Sequence, residues 1–248
     1  MGERMRLDRL LCTLAGVSRS QAQKLVRAGH VTLNGDPVRE AGLLLDPTCD
    51  AVALNGQALA YARALHVMLH KPAGLLTAAS DARAATVMDL LPASYARSGC
   101  MPVGRLDKAT EGLLLFSTDG ALAHRLLSPR RHVRKQYLAE VDAPLDAADV
   151  QAFAAGLALS DFTALPAELE ILESGAACAR ALCTVGEGKY HQVRRMFAAR
   201  GCTVTYLKRL TFGPLALDEA LAPGAHRVLT EEEVQALYDA VALQRSEP

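Results

Sequence analysis

Residues 104–120 read GRLDKATEGLLLFSTDG, and the way this stretch must fold frames the rest of the chain. The run Leu113-Leu114-Leu115-Phe116 is bounded by glycine and polar residues. It is too short for a buried helix and reads as a buried strand or a turn leading into one. Asp107 lies just upstream, which sets a carboxylate at the edge of a core. An ionised carboxylate in such a place is costly unless it has a partner. Arg105 stands two residues before it, beside Gly104.

Composition bounds the answer without choosing it. The chain has 248 residues, half of them hydrophobic, enough for a small module followed by a larger domain. No apolar run approaches the roughly 20 residues of a membrane span. The opening MGERMRLDRLL lacks the apolar stretch of a secretion signal. The six cysteines form no C-x-x-C pair, which argues against a disulfide framework or a zinc site and for a reducing cytoplasm. No membrane partner is expected.

Lysine plus arginine equal aspartate plus glutamate, 27 each, which taken alone speaks against nucleic acid. The average hides segregation. Arg4, Arg6, Arg9, Arg19, Lys24, Arg27 and Arg39 face only Asp8 and Asp36 in the first basic block. Arg125, Arg130, Arg131, Arg134 and Lys135 form a second, and Lys189, Arg194, Arg195, Arg200, Lys208 and Arg209 a third. Local basic faces, not the net charge, set the field that a phosphate backbone meets. Ordinary solvated surface is the competing account of any one cluster.

The pattern divides the chain. Leu7, Leu10, Leu11 and Leu14 recur at helical spacing and Gly16 offers a stop. Ser18 with Gln21 predicts a capping box for a second helix over 19–28, ending at Gly29. Asn34-Gly35 and Asn55-Gly56 predict hairpin turns. Residues 58–65 read as a linker. Beyond it, strands are expected over 66–70, 113–117, 136–141, 179–185 and 203–207, and helices over 122–127, 147–155, 192–200 and 231–242. That order predicts an α+β protein whose larger domain, 66–248, carries a mainly antiparallel mixed sheet behind a small module, 1–60.

Several motifs together resemble a known family. Gly104-Arg105-Leu106-Asp107, with Thr110, Gly112 and Leu113 to Leu115, resembles the signature of RNA pseudouridine synthases, in the branch that modifies small-subunit rRNA. Gly188-Lys189-Tyr190-His191-Gln192-Val193-Arg194-Arg195-Met196, Lys135-Gln136-Tyr137 and Lys71-Pro72-Ala73-Gly74 match further family elements. Residues 5–56, through Arg6-Leu7-Asp8, Ser18-Arg19-Ser20-Gln21 and Lys24-Leu25-Val26, resemble the S4-type RNA-binding module.

The resemblance implies isomerisation of a uridine in 16S rRNA, uridine 516, free or within an assembling small subunit, by a cytoplasmic monomer. A 23S rRNA target and a non-catalytic S4-type binding protein are the alternatives. A metal hydrolase using His124, His132 and His191 lacks paired ligand spacing. Because the reaction adds and removes no atoms, no cofactor and no metal are expected. Its chemistry requires a carboxylate at the sugar, a cation beside it, a wall for the detached base, and extrusion of the nucleotide from its stack.

By resemblance Asp107 is the catalytic carboxylate, Arg194 its ion-pair partner, and Tyr137 the active-site tyrosine that stacks on uracil. Arg105 is expected to enter the space left by the flipped base or to grip its phosphate. Arg6, Arg19, Lys24, Arg27, Lys71, Arg130, Arg131, Lys135, Lys189 and Arg195 are expected RNA contacts. His191 is a candidate acid or base but reads more readily as a capping or RNA-facing residue, and Val193 and Leu114 as wall residues that the sequence does not separate from core.

Overall fold

Leu7, Leu10 and Leu11 line one side of the first helix, α1 (Leu7–Ala15), which follows a short strand, β1 (Met5–Arg6), and stops at Gly16 in the left-handed region. The structure is a computed structural model describing residues 4–47, 49–59 and 64–243. Its described residues fall into two compact units, divided at residue 63/64.

In the first unit the expected capping box opens α2 (Arg19–Arg27): Ser18 Oγ accepts from the Gln21 amide, and Gln21 Oε1 accepts from the Ser18 amide. Strands β2 (Val31–Leu33) and β3 (Asp36–Pro37) pair across Asn34-Gly35. A short strand, β4 (Leu44–Leu45), returns to β1, and β5 (Val52–Leu54) and β6 (Gln57–Leu59) pair across Asn55-Gly56. Both turn residues have positive φ in each hairpin, 52° and 94° in the first, 51° and 78° in the second. That is the geometry Asn-Gly supplies at least cost. Leu7, Leu10, Leu11, Ala22, Val26, Val31, Leu45 and Val52 form this unit's own core.

The expected linker is shorter than its sequence suggested. Residues 58 and 59 belong to β6, residues 60–63 lie outside the described residues, and Leu65 already joins the second unit through its amide bond to Thr118 Oγ1 (2.9 Å).

The second unit is built on a nine-stranded sheet. Its strands are β7 (His66–Lys71), β8 (Met101–Val103), β9 (Glu111–Ser117), β10 (Lys135–Val141), β11 (Glu168–Ser174), β12 (Ala179–Val185), β13 (Val204–Phe212), β14 (Leu215–Ala216) and β15 (His226–Val228). The order is β11-β12-β10-β13-β9-β7-β15, with β8 beside β9 and β14 beside β13. Every pairing is antiparallel except β9 with β13. The α+β, mainly antiparallel fold is therefore as expected.

Helices cover both faces of the sheet: α3 (Ala93–Arg97), α4 (Gly120–Leu127), α5 (Ala147–Ala155), α6 (Gln192–Ala198) and α7 (Glu231–Ala240). Leu114 and Phe116 of β9 pack with Phe153 of α5 and Phe197 of α6. Leu113 and Leu115 pack with Leu122 and Leu126 of α4 and Leu237 of α7. Burial on both sides is why the run is continuously apolar instead of alternating. Leu114 is accordingly core and not a cavity wall, a choice the sequence left open.

Candidate active site

The loop carrying Asp107 connects β8 to β9 and is clamped from below. Thr77 Oγ1 donates to the Leu106 carbonyl (2.8 Å) and accepts from its amide (3.2 Å). The Gly74 amide donates to the Lys108 carbonyl (2.7 Å), and the Thr110 amide closes a turn onto the Asp107 carbonyl (3.0 Å). Lys71 Nζ donates to the carbonyls of Pro72 (2.9 Å), Lys108 (3.3 Å) and Thr110 (2.9 Å). This lysine is fully buried, and burial brings its ammonium down to about 8 against the opposing pull of Glu111 and Asp107. Lys71 is thus a brace for the loop and is not offered to RNA, contrary to expectation.

Gly112 completes the anchoring. Its φ is 104°, and a Cβ there would lie 2.2 Å from the Arg209 carbonyl oxygen on the parallel neighbour β13. Only glycine lets the two strands approach this closely.

Antiparallel alternation brings the start of β10 and the end of β12 together, and the loop ahead of β9 meets them beside β13. There the chain encloses a cavity of about 210 Å³. One water needs about 15 Å³ by the same kind of measure, so the space suits a planar heterocycle. Asp107, Tyr137 and Arg194 all line it, as do Arg105, Lys135, Lys189, His191, Val193 and Arg209. Three residues distant in sequence and expected to act together therefore line one cavity.

Their pairing differs from expectation. Among the described residues, the basic group within 4.0 Å of the Asp107 carboxylate is His191, whose Nε2 is 3.5 Å from Oδ1. Arg194 instead donates to the Val204 carbonyl on β13 (2.8 Å). The cause is local backbone: His191 precedes α6 with φ 49°, a left-handed conformation that turns its ring to the cavity, and no side-chain cap forms there. Asp107 keeps about a third of its side chain exposed, open to a ligand.

Tyr137 is nearly buried, set between Cys183 on β12 and Arg209 on β13. Below it lie two buried cations. Lys135 Nζ donates to the Val133 carbonyl (2.6 Å), and burial, reinforced by the Arg209 charge, lowers it to about 8 while Glu187 pulls the other way. Arg209 Nε donates to the Leu113 carbonyl (2.8 Å), whereas its Nη2 is buried with no hydrogen-bond partner among the described residues. Glu187, the neighbouring carboxylate, accepts from Gln192 Nε2 (2.7 Å) and the Leu165 amide (2.9 Å). Lys135 is accordingly a cavity-floor residue and not a surface phosphate contact. Arg209 and Glu187 escaped the sequence reading; the one hint was Arg209's place in the third basic block.

The other expected RNA contacts divide by exposure. Arg105 is exposed at the cavity rim, and Arg130 and Arg131 are exposed on the short turn Pro129–Arg131, whose Pro129 lines the cavity. Lys189 lies 3.6 Å above the Phe162 ring with half its side chain in solvent. Arg195 is engaged within the protein, ion-paired with Asp161 and bonded to Ser160 Oγ (3.0 Å), so its expected role as a free phosphate contact is corrected. In the first unit Arg6 (2.8 Å) and Arg19 (3.4 Å) both pair with buried Asp8, while Lys24 and Arg27 stand exposed on α2. Among the described residues, no three His, Cys, Asp or Glu side chains gather as metal ligands.

Comparison with known proteins agrees with this layout. Residues 65–199 match the RNA pseudouridylate synthase family and residues 5–52 the S4 domain. An uncharacterized RNA pseudouridine synthase of Bacillus subtilis is 41% identical over 95% of this chain and 99% of its own length. Ribosomal small subunit pseudouridine synthase A of Escherichia coli is 40% identical over 93% of this chain and 98% of its own. A crystal structure of a pseudouridylate synthase, 34% identical, superposes with a TM-score of 0.65 over 94% of this chain and 99% of that one. With an S4 domain followed by a catalytic domain whose cavity holds the family's motifs, the chain belongs to the RNA pseudouridylate synthases, a family of isomerases.

Proposed function

We propose that the chain converts a uridine of 16S rRNA to pseudouridine, uridine 516 being the target carried by the resemblance. The observation that carries this is the convergence of Asp107, Tyr137 and Arg194 on one cavity, in a chain matching a small-subunit synthase along nearly its whole length. Residues 1–60 capture RNA and residues 66–248 perform the chemistry. The enzyme works as a cytoplasmic monomer without a cofactor.

The target nucleotide leaves its stack and enters the cavity, with Arg105 at the rim holding the backbone or the vacated space. The Asp107 carboxylate acts on the ribose, by attack on C1′ or removal of the C2′ proton, and the N1–C1′ bond breaks. Uracil turns against Tyr137, and C5 bonds to C1′ as the Asp107–C1′ bond breaks or the C2′ proton returns; the C5 proton then leaves to a base in the cavity while N1 takes one up. The cations Arg194, Lys135 and Arg209 and the imidazole of His191 surround the space where negative charge resides during these steps.

The test is position-resolved pseudouridine mapping on unmodified 16S and 23S rRNA, incubated with wild type and with Asp107→Asn. New signal in 16S rRNA from wild type alone is expected. Signal confined to 23S rRNA would move the target, and turnover by Asp107→Asn would remove Asp107 from the mechanism.

A further inference from the structure

We propose that Tyr190, stacked on His191, is a shelf on which an unpaired RNA base adjoining the target uridine docks. The inference rests on reading the cavity as the pseudouridylation site and adds a second nucleotide to it. Tyr190 is 75% exposed, the most open of the large apolar side chains among the described residues. Its ring lies on the His191 ring at 3.9 Å between centroids and 14° between planes. One face is therefore covered and the other is open to solvent. His191 in turn lines the cavity and directs Nε2 to Asp107. The two rings thus run from the reacting carboxylate to the outer surface.

The surroundings specify the occupant. Lys189, which precedes Tyr190, is half exposed though 3.8 Å from the Glu187 carboxylate, and exposed Arg105 lines the same cavity, so the rim's positive charge for a phosphate backbone comes chiefly from Arg105. A lone flat ring beside cations is how single-stranded nucleic acid is held: each base presents a π-face and the backbone tracks the charge. A protein partner requires a much wider apolar area. The left-handed backbone of His191 (φ 49°), uncommon for a residue other than glycine, is what turns the lower ring under Tyr190. An extruded uridine leaves its neighbour with one face unstacked, and the shelf restores that contact.

The test uses the full chain and synthetic single-stranded RNA heptamers with a central uridine flanked by adenines, together with versions abasic on either side of the uridine. For wild type, one abasic substitution should weaken binding by about 5- to 150-fold, the range of one base–aromatic stack. Tyr190→Phe should behave as wild type. Tyr190→Leu and Tyr190→Ala should bind the intact heptamer as weakly as wild type binds the abasic one, and lose nothing further when the base is removed. Equal sensitivity to the abasic site in wild type and Tyr190→Ala, or none in wild type, overturns the shelf. Because these affinities need no turnover, they decide the shelf even if wild type forms no pseudouridine in either rRNA, the result that would sink the catalytic reading. At so exposed a position the substitutions leave the fold intact.

Discussion

At the scale of single residues, the site depends on one carboxylate whose backbone cannot move. Thr77, Gly74 and Lys71 hold the carbonyls and amides on either side of Asp107, so its side chain projects from a fixed point. Asp107→Asn keeps that shape and removes the charge. Turnover should fall by at least about 10³-fold, as for groups acting directly on the reacting bonds, with RNA affinity and melting temperature near wild type; mapping and thermal melts check both. Lys71→Met matches the buried length but leaves three carbonyls without their donor. Stability should drop by about 2–4 kcal/mol in urea titration, and kcat should fall while RNA affinity holds. The Asp107 motif was legible through its family resemblance, whereas its bracing was not: Lys71 looked like a surface cation because a sequence does not show which lysines are enclosed.

At the scale of elements, close approach and caps decide what forms. Gly112→Ala would push a methyl group into the Arg209 backbone of β13 while holding an unfavourable positive φ. A loss of about 2–4 kcal/mol is expected in urea titration, with activity falling in step because β9 carries the catalytic loop. In the S4 domain, Asp8 ties β1 and α1 to α2 through Arg6 and Arg19. The bond from Arg6 foremost, opposed by burial, lowers its carboxyl to about 2 from an ordinary 3.8. The folded pKa is the depressed one, so the contribution is fully present above about pH 4 and is lost as pH falls through about 2. The difference in unfolding free energy between wild type and Asp8→Asn, about 2 kcal/mol from urea titration at neutral pH, should shrink across that window. The capping box, both Asn-Gly turns and the strand at 179–185 were readable because their signals are local. The strand β11 was missed because its edge position leaves Glu168 and Glu170 exposed beside buried Leu169. The strand β13 runs past its expected end because Lys208 and Arg209 interrupt the apolar pattern while the second of them is buried.

At the scale of the whole molecule, zero net charge coexists with exposed basic faces in both units. Among the described residues, Lys24 and Arg27 on α2 have no acidic partner of the kind Asp8 gives Arg6 and Arg19. The double substitution Lys24→Gln, Arg27→Gln should weaken rRNA binding and reduce the slope of log affinity against log salt by about 2, leaving turnover on saturating RNA unchanged; binding titrations over a salt series measure it. What the sequence by itself determined is the order of units, the buried strand at Leu113–Phe116 and, through motifs that resemble a family, the identity of the cavity's Asp, Tyr and Arg, because propensity, turn chemistry and motifs are properties of neighbours along the chain. Only the tertiary structure decided that His191 and not Arg194 stands next to Asp107, that Lys71 and Lys135 are enclosed, and that Arg209 reaches the cavity. Those facts depend on which distant strands pair and in what register, and a side chain's partner and burial are set by that pairing.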